Sequence, residues 1–380
     1  MHDILTSLSK FFVERDISPD PIALWVAVSV ALLTTLLAAH ARRQYRLIPQ
    51  LSLQSGASVA SGTALDHCVI IPARDKQATI GRAVRSFPGS LCVVVDDRST
   101  DGTAQAAEAA GAVVRPARPQ ERGWLSKPNA CWTGAVLTES DWMLFVDPET
   151  WYEPRFLSSL LAYAATEELH AATVLPRQEY RTWFERLLVS YGMALTFTTI
   201  SACHVSDPKH PEALANGQCL LFRRSAYNFI GGHRAVAGSG IEDQALARLI
   251  KRHRMKMAVL RCETMAHVRP YDSFRTAWRG IEKAFLRCLL AGGRSAFLLV
   301  FTLWVSSLWL PSLLVLVFLK LYLPALLLLF TPTVAWRSWY GSIFRALWAP
   351  FAVLLCQAIA VTAVTRTILG VTGDSRARRA

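Results

Sequence analysis

The sequence predicts an α/β fold: a mostly parallel sheet flanked by helices, with transmembrane helices at both the N-terminal and C-terminal ends. Three observations carry this. The runs "HCVIIPARD" (67–75), "LCVVVDD" (91–97) and "DWMLFVDPET" (141–150) are apolar without alternation, as in strands covered on both faces. Segments of helical spacing lie between them, so strand and helix alternate along the chain. Residues 21–40 carry no formal charge, and residues 296–330 and 347–364 are almost continuously apolar.

Bulk composition agrees. A length of 380 residues suggests about two domains. Hydrophobic residues make up 52% and charged residues 18%, which fits a globular domain joined to membrane segments. The net charge of +13 suits an anionic membrane surface or an anionic small substrate. With no zinc-finger spacing and no RNA-stacking motif, no nucleic-acid partner is expected. None of the eight cysteines lies in a C-x-x-C pair, and several sit in apolar runs, so a reduced compartment is expected.

Residues 1–20 have mixed charge and no basic leader, so 21–40 reads as a retained anchor rather than a cleaved signal. Twenty residues at ~1.5 Å rise cross a hydrocarbon core of about 30 Å. Arg42, Arg43 and Arg46 follow at once, which puts that end in the cytoplasm by the positive-inside rule. Residues 41–65 include the Ser/Gly/Ala-rich "PQLSLQSGASVASGTAL" and read as a linker. Residues 66–272 form the α/β domain.

Within it, "KQATIGRAVRSF" places Ile80, Val84 and Phe87 on one helix face. "DGTAQAAEAAG" is a helix ended by Gly111, and Asp101 before it either caps that helix or binds a ligand. "AVVRP" (112–116) is a short strand, and "KPNACWTGAVLTE" is a helix packed near Ala130, Gly134 and Val136. In open parallel sheets ligands bind beyond the carboxyl ends of the strands. One strand delivers Asp96 and Asp97 to that edge, another Asp147 and Glu149. Such carboxylates can share a hard divalent cation, Mg2+ or Mn2+, or can cap turns. Neither G-x-G-x-x-G nor a P-loop occurs.

Later in the chain, "RTWFERLLVSYGMALTFTTI" (181–200) is short for a span and reads as a buried or interfacial helix. The helix beginning "IEDQALARLIKR" carries Glu242 and Asp243 at its amino end, where they complement the helix dipole or do chemistry. The glycines of "GGH" and "AGSG" before it suit a mobile loop. His233 and His267 are structural residues or donors and metal ligands, and Trp124 and Trp132 pack in the fold or stack on a sugar. Residues 273–295 form an amphipathic interfacial helix, with Phe274, Trp278, Ile281 and Phe285 on one side. Residues 296–380 hold two or three spans and a basic tail. Pro311, Lys320 and Pro324 interrupt the first apolar stretch; counted as one span it leaves the tail inside, as two outside.

The motifs "VIIPARD", "VVVDDRSTDGT", "SKPNACWTGA", "LFVDPET", "GGH" and "IEDQALAR" stand in the order seen in family 2 glycosyltransferases, which the chain resembles over about residues 66–290. The flanking membrane segments and "RPYDSFRTAWR" look closest to the branch with hopene-associated and carotenoid-acid glycosyltransferases. The resemblance implies a GT-A fold and a nucleotide-diphosphate sugar donor. It also implies inverting transfer to a hydroxyl or carboxyl group of a membrane lipid. Localisation would be the inner (cytoplasmic) membrane, multi-pass, with the catalytic domain facing the cytoplasm.

Carried over residue by residue, Pro72, Ala73 and Asp75 hold the nucleoside, and Asp97 with Asp96 beside it contacts base or ribose. Lys127 lies near the diphosphate, and Asp147 and Glu149 take the D-x-D position that holds Mg2+ or Mn2+. Asp243 is the catalytic base, and the polar loop "CHVSDPKHPEALANGQC" shapes the acceptor site. Arg269 and Arg279 reach the diphosphate by a weaker parallel, since "RTAWR" reverses the Arg and Trp of the family's Q-x-x-R-W and lacks its Gln, or else they pair with lipid phosphates or nearby acids. The metal motif also departs: it reads D-P-E, where Glu149 reaches one methylene further and Pro148 fixes φ. That departure motivates a rival, a membrane-tethered protein that binds nucleotide sugars without catalysis. A nucleotidyltransferase acting on a lipid phosphate is another.

Overall fold

A computed structural model describes residues 21–52, 65–291 and 293–369. The segment 1–20, most of the expected linker and the basic tail lie outside the described residues.

The uncharged N-terminal stretch is helical, as α1 (Pro21–Leu47). It runs past the expected boundary at residue 40 because Ala41 and Tyr45 are buried, so the helix keeps an apolar face through the arginines. The chain after it is not free either. Ile48 and Leu51 are buried, and Arg261 N–H donates to Pro49 O (2.8 Å) while Leu51 N–H donates to Arg261 O (2.8 Å).

The α/β domain follows in the expected alternation: β1 (His67–Ala73), α2 (Gln77–Arg85), β2 (Leu91–Asp96), α3 (Thr103–Ala109), β3 (Val113–Pro116), α4 (Ser126–Val136) and β4 (Trp142–Val146). Then come β5 (Thr150–Tyr152), α5 (Phe156–Thr166), β6 (Ala171–Gln178), α6 (Trp183–Thr199), a short α7 (Ala202–Val205), β7 (Cys219–Arg223) and α8 (Arg224–Phe229). After a 3-10 turn at Gly232–Val236 follow α9 (Glu242–Arg252) and β8 (Met257–Val268). The sheet has eight strands in the order β3-β2-β1-β4-β7-β6-β8-β5. Pairs β2/β3, β1/β2, β1/β4 and β6/β8 are parallel; β4/β7, β6/β7 and β5/β8 are antiparallel. The sheet is therefore mixed and mostly parallel.

Its apolar strands separate two cores. Val69 and Ile71 of β1 pack with Ile80 and Val84 of α2 and Phe156 of α5. On the other face Cys68 and Ile70 meet Ala130 of α4 and Leu246 and Ile250 of α9. Helix α4 lies so near β1 that a Cβ added at Gly134 would stand 2.4 Å from Ile70 Cγ2.

A third apolar cluster joins α1 and α6 to the C-terminal helices α10 (Phe274–Ala291), α11 (Gly293–Ser307), α12 (Trp309–Phe318), α13 (Tyr322–Tyr340), α14 (Ile343–Ala346) and α15 (Ala349–Ile368). Helix α6 is therefore buried, with Leu187, Leu188 and Tyr191 inside the cluster. Helix α10 buries Ala277, Ile281 and Phe285, as its amphipathic pattern requires, and Glu282 pairs with Arg366 of α15 (2.8 Å). Three helical stretches, Leu24–Leu47, Gly293–Phe318 and Ile343–Ile368, are long and apolar enough to cross a bilayer, the architecture of a multi-pass membrane protein. Helix α13 continues through Pro332 to Tyr340 and carries Arg337 in its last turn.

Candidate active site

Strand direction assembles the site. β1, β2 and β4 are mutually parallel, with Ala73 level with Asp96, so their carboxyl ends share one edge. β7 runs antiparallel to β4 with Cys219 opposite Val146, so the Asn216–Gln218 loop arrives at that same edge. There Asp147 N–H donates to Gln218 O (3.3 Å).

Lys127, in the first turn of α4, is the hub. Its Nζ lies 2.6 Å from Asp147 Oδ1 and 3.2 Å from Glu242 Oε1, and it donates to Gly217 O (3.4 Å). Asp243 opens α9; its Oδ2 accepts from Gly217 N–H (2.8 Å) and its Oδ1 from Gln244 N–H (2.8 Å). A Cβ at Gly217 would stand 3.1 Å from Asp243 Oδ2 and 3.2 Å from Lys127 Nζ, so the close approach depends on glycine. Lys76 forms an ion pair with Glu149.

The electrostatics separate these carboxyls. Burial pushes Asp147 up to about 6, against the pull of Lys127. Burial and the neighbouring Glu242 charge raise Asp243. Glu242 also feels burial, but the Lys127 charge carries it below its usual range. Burial works against the Lys127 ammonium, yet Asp147 and Glu242 hold it well above its usual value. A carboxylate held above its ordinary range is the better proton acceptor, and Asp243 is such a group.

The other end of the edge is built from the β1 and β2 termini. Pro72 and Ala73 are buried in β1, and Ala73 O accepts from Asp97 N–H (2.8 Å). Asp75 takes a left-handed φ of 52°, and its Oδ1 accepts from Thr100 N–H (2.8 Å) and Oγ1 (3.1 Å). Asp97 Oδ1 accepts from Arg98 Nε (3.1 Å), and Asp96 Oδ2 accepts from Ser99 N–H (3.3 Å). Asp96 Oδ1 and Asp97 Oδ2 are buried without a hydrogen bond among the described residues. Asp97 Oδ2 has the Arg74 guanidinium at 3.9 Å, so the acceptor left without a partner is Asp96 Oδ1, and buried polar atoms are normally satisfied, which fits a ligand's N–H or O–H group there. Asp101 stands one residue before the N-cap, Gly102, and closes the turn there: its Oδ1 accepts from Thr103 N–H (3.0 Å) and its Oδ2 from Gln77 N–H (3.1 Å), which ties α3 to α2.

The structure thus brings together Asp75, Asp96, Asp97, Lys127, Asp147, Glu149 and Asp243 along one edge. It does not bring the Arg269 guanidinium there. Nε and Nη2 of Arg269 donate to Glu185 Oε1 (3.0 and 2.7 Å), a buried carboxylate that also closes the capping box with Thr182. Among the described residues the backbone of Arg269 meets the cluster, through N–H to Glu149 O (3.4 Å). Arg279 is exposed on α10, with no contact to the cluster among the described residues. His233 is structural: buried, bonded to Tyr227 Oη (2.8 Å), and pushed down to about 3 by burial. His267 stacks on Trp151 and faces Glu179 (3.2 Å). Sequence reasoning missed Lys76, Gly217 and Glu185; for Glu185 the Thr182-x-x-Glu185 spacing before an apolar run was a readable signal.

Asp147 and Glu149 are oxygen donors of the kind Mg2+ and Mn2+ take. In this structure a lysine ammonium engages each of them, in the place a cation would take.

From Asp243 a cavity of about 430 Å³ runs toward the membrane helices. Gln244 and Arg248 of α9 stand near its polar end, and Met193 of α6, Ile281 and Phe285 of α10 and Leu299 of α11 line its apolar part.

The family model described as glycosyltransferase like family 2 matches residues 66–287. A 4,4'-diaponeurosporenoate glycosyltransferase of Staphylococcus haemolyticus (strain JCSC1435) is 27% identical over 224 residues, covering 57% of this chain and 60% of that protein. Its namesake from Staphylococcus aureus (strain USA300) is 26% identical over 186 residues, 47% of this chain and 49% of that one. The chain therefore spans between 49% and 60% of the length of these curated relatives. A mannosyltransferase of Pyrobaculum calidifontis, solved with GDP-Man and Mn2+, superposes with a TM-score of 0.56 at 15% identity, over 89% of this chain and 99% of its own. That likeness is one of fold.

Proposed function

The chain belongs to the glycosyltransferase like family 2, and we propose that it moves a sugar from a nucleotide-diphosphate sugar to a membrane lipid, with inversion. The observation that carries this is the cavity joining Asp243 to α6, α10 and α11: it gives an acceptor from the bilayer a path to a carboxylate at the donor edge.

In this reading Asp96, through its unbonded Oδ1, and Asp97 beside Arg74 take the nucleoside, with Pro72, Ala73 and Asp75 forming the wall. Asp243, oriented by the N–H groups of Gly217 and Gln244, removes the proton of the acceptor hydroxyl, or receives the hydrogen bond that positions an acceptor carboxyl. Lys127 supplies a fixed positive charge beside the diphosphate as its charge grows. Asp147 and Glu149 would hold Mg2+ or Mn2+, which when bound neutralises that same charge. Residues 66–272 are the transferase unit. The arginines at the domain end of α1 support a cytoplasmic placement for it.

Asp243→Asn tests the assignment. Transfer is abolished while nucleotide affinity, measured by calorimetry, stays near parental; affinity collapsing together with transfer contradicts the role.

A further inference from the structure

The cavity sorts its polar groups by position. Where it meets α9 it holds Asp243 and Arg248, and Arg248 forms no hydrogen bond or ion pair among the described residues. Along α6 and α11 the wall also contains hydroxyls, but each is spent on helix backbone. Thr196 Oγ1 donates to Gly192 O (3.1 Å), Thr199 Oγ1 to Thr196 O (2.8 Å), and Ser295 Oγ to Thr199 O (3.3 Å). Along α6 and α11 the cavity therefore offers a guest no hydroxyl donor, only acceptor lone pairs. With Val189, Met193, Ile281, Phe285 and Leu299 on the same wall, a largely apolar body suits that part, since most polar groups placed against it would lose hydrogen bonds to water.

Gly192 stands in the middle of this wall. Glycine inside a helix is unfavourable unless the backbone or a close neighbour demands it. At most crowded glycines here a neighbour does: an added Cβ meets Ile70 at Gly134 and Tyr271 at Gly280. At Gly192 the backbone is helical and an added Cβ meets nothing within 4 Å. Neither conformation nor packing accounts for the missing side chain, and the space it leaves belongs to the cavity.

We propose that Gly192 sets the girth of the lipid this cavity accepts: the apolar body of the acceptor lies across Gly192 between α6 and α10, with its reactive group at Asp243. The inference deepens the transferase reading by assigning the binding site and a specificity-determining residue for an amphiphile with an extended apolar body. No sugar or headgroup need be known to test it.

The chain is placed in nanodiscs with a long-chain alcohol bearing a diazirine, irradiated, and its labelled peptides are mapped by mass spectrometry. In the parent, adducts fall on the Met193–Thr196 segment as well as on α15, whose exposed Val361 and Val364 face outward and serve as reference. One methylene in an apolar pocket changes discrimination about 10–200-fold, so Gly192→Phe lowers the α6-to-α15 labelling ratio at least about tenfold, and Gly192→Ala lowers it less. Thr196→Leu intrudes on the same space from the next turn and repeats the measurement independently of position 192. An unchanged ratio in Gly192→Phe and Thr196→Leu overturns the proposal. Release of nucleoside diphosphate by the parent chain tests the transferase reading separately. A parent that labels on α6 but turns over no donor supports the lipid site and sinks the transferase; donor turnover with unaltered labelling in both variants does the reverse.

Discussion

Replacing Lys127 by Met removes the one ammonium that lies between Asp147 (2.6 Å) and Glu242 (3.2 Å) and also touches Gly217 O. Folding is weakened too: the Lys127, Asp147 and Glu242 side chains are 37%, 23% and 12% exposed, so two partly buried carboxylates lose their counter-charge, at a cost between the ~1 kcal/mol of an exposed pair and the ~3–5 kcal/mol of a buried one. Catalysis loses separately. A single preorganised donor aimed at developing charge is worth about 2.7–4 kcal/mol, or about 10²–10³ in rate. A second effect has a definite sign. Burial raises Asp147 to about 6, and Lys127 is the largest influence opposing that rise, so the carboxyl moves higher without it. The acid limb of the pH–rate profile therefore shifts toward higher pH. Lys127→Arg restores the charge but brings a planar fork where a compact ammonium fits, so it recovers only part of the rate. Nucleoside diphosphate release in nanodiscs across a pH series measures both effects, with thermal unfolding as the check on folding. Parental kcat/KM and an unmoved acid limb in Lys127→Met would refute the reasoning.

Gly134→Ala forces a Cβ to 2.4 Å from Ile70 Cγ2 and 3.2 Å from Val95 Cγ2. It should destabilise the domain by about 1–3 kcal/mol, read as a lowered Tm, and an unchanged Tm would show that α4 can lift from the sheet freely. Burial pushes the Glu185 carboxyl up, but hydrogen bonds from Arg181 N–H, the Arg269 guanidinium and Thr182 N–H more than offset it, leaving a net lowering. Its stabilisation is therefore complete above the ordinary carboxylate range and is lost as pH falls through the depressed folded value. Arg269→Met should move the midpoint of acid unfolding, followed by tryptophan fluorescence, to higher pH; a midpoint that stays put contradicts the pairing.

Much of the site was legible because its carboxylates sit directly at strand ends. "LCVVVDD" and "WMLFVD" announce both a buried strand and the charges it delivers, and parallel pairing then fixes their common edge. The amphipathic face of α10 was readable for a similar reason: Ile281 and Phe285 recur at helical spacing. What sequence did not reveal depends on contacts between distant segments. Lys76 meets Glu149, and Glu185 meets Arg269, only after β5 and β8 pair. Helix α1 outran its predicted end because Tyr45 finds Glu263 (2.5 Å), a partner 218 residues away. β8 itself escaped notice, since its apolar run is broken by Arg261, Glu263 and Thr264, whose places are set by α1 and the sheet. Asp101 was ambiguous for a different reason: a turn-closing and a ligand-binding carboxylate have the same local sequence, and only its bonds to Gln77 and Thr103 distinguish them.

The account rests on one event, passage of a sugar from nucleotide to lipid at the Asp243 end of the cavity. The most direct measurement supplies sugar-labelled UDP and GDP donors to the chain in nanodiscs made with bacterial lipid extract. It then compares label in the lipid phase with nucleoside diphosphate released. The account predicts that the two appear in equal amounts and that Asp243→Asn abolishes both. Donor that binds but yields no labelled lipid, or pyrophosphate released from a nucleoside triphosphate instead, would contradict it.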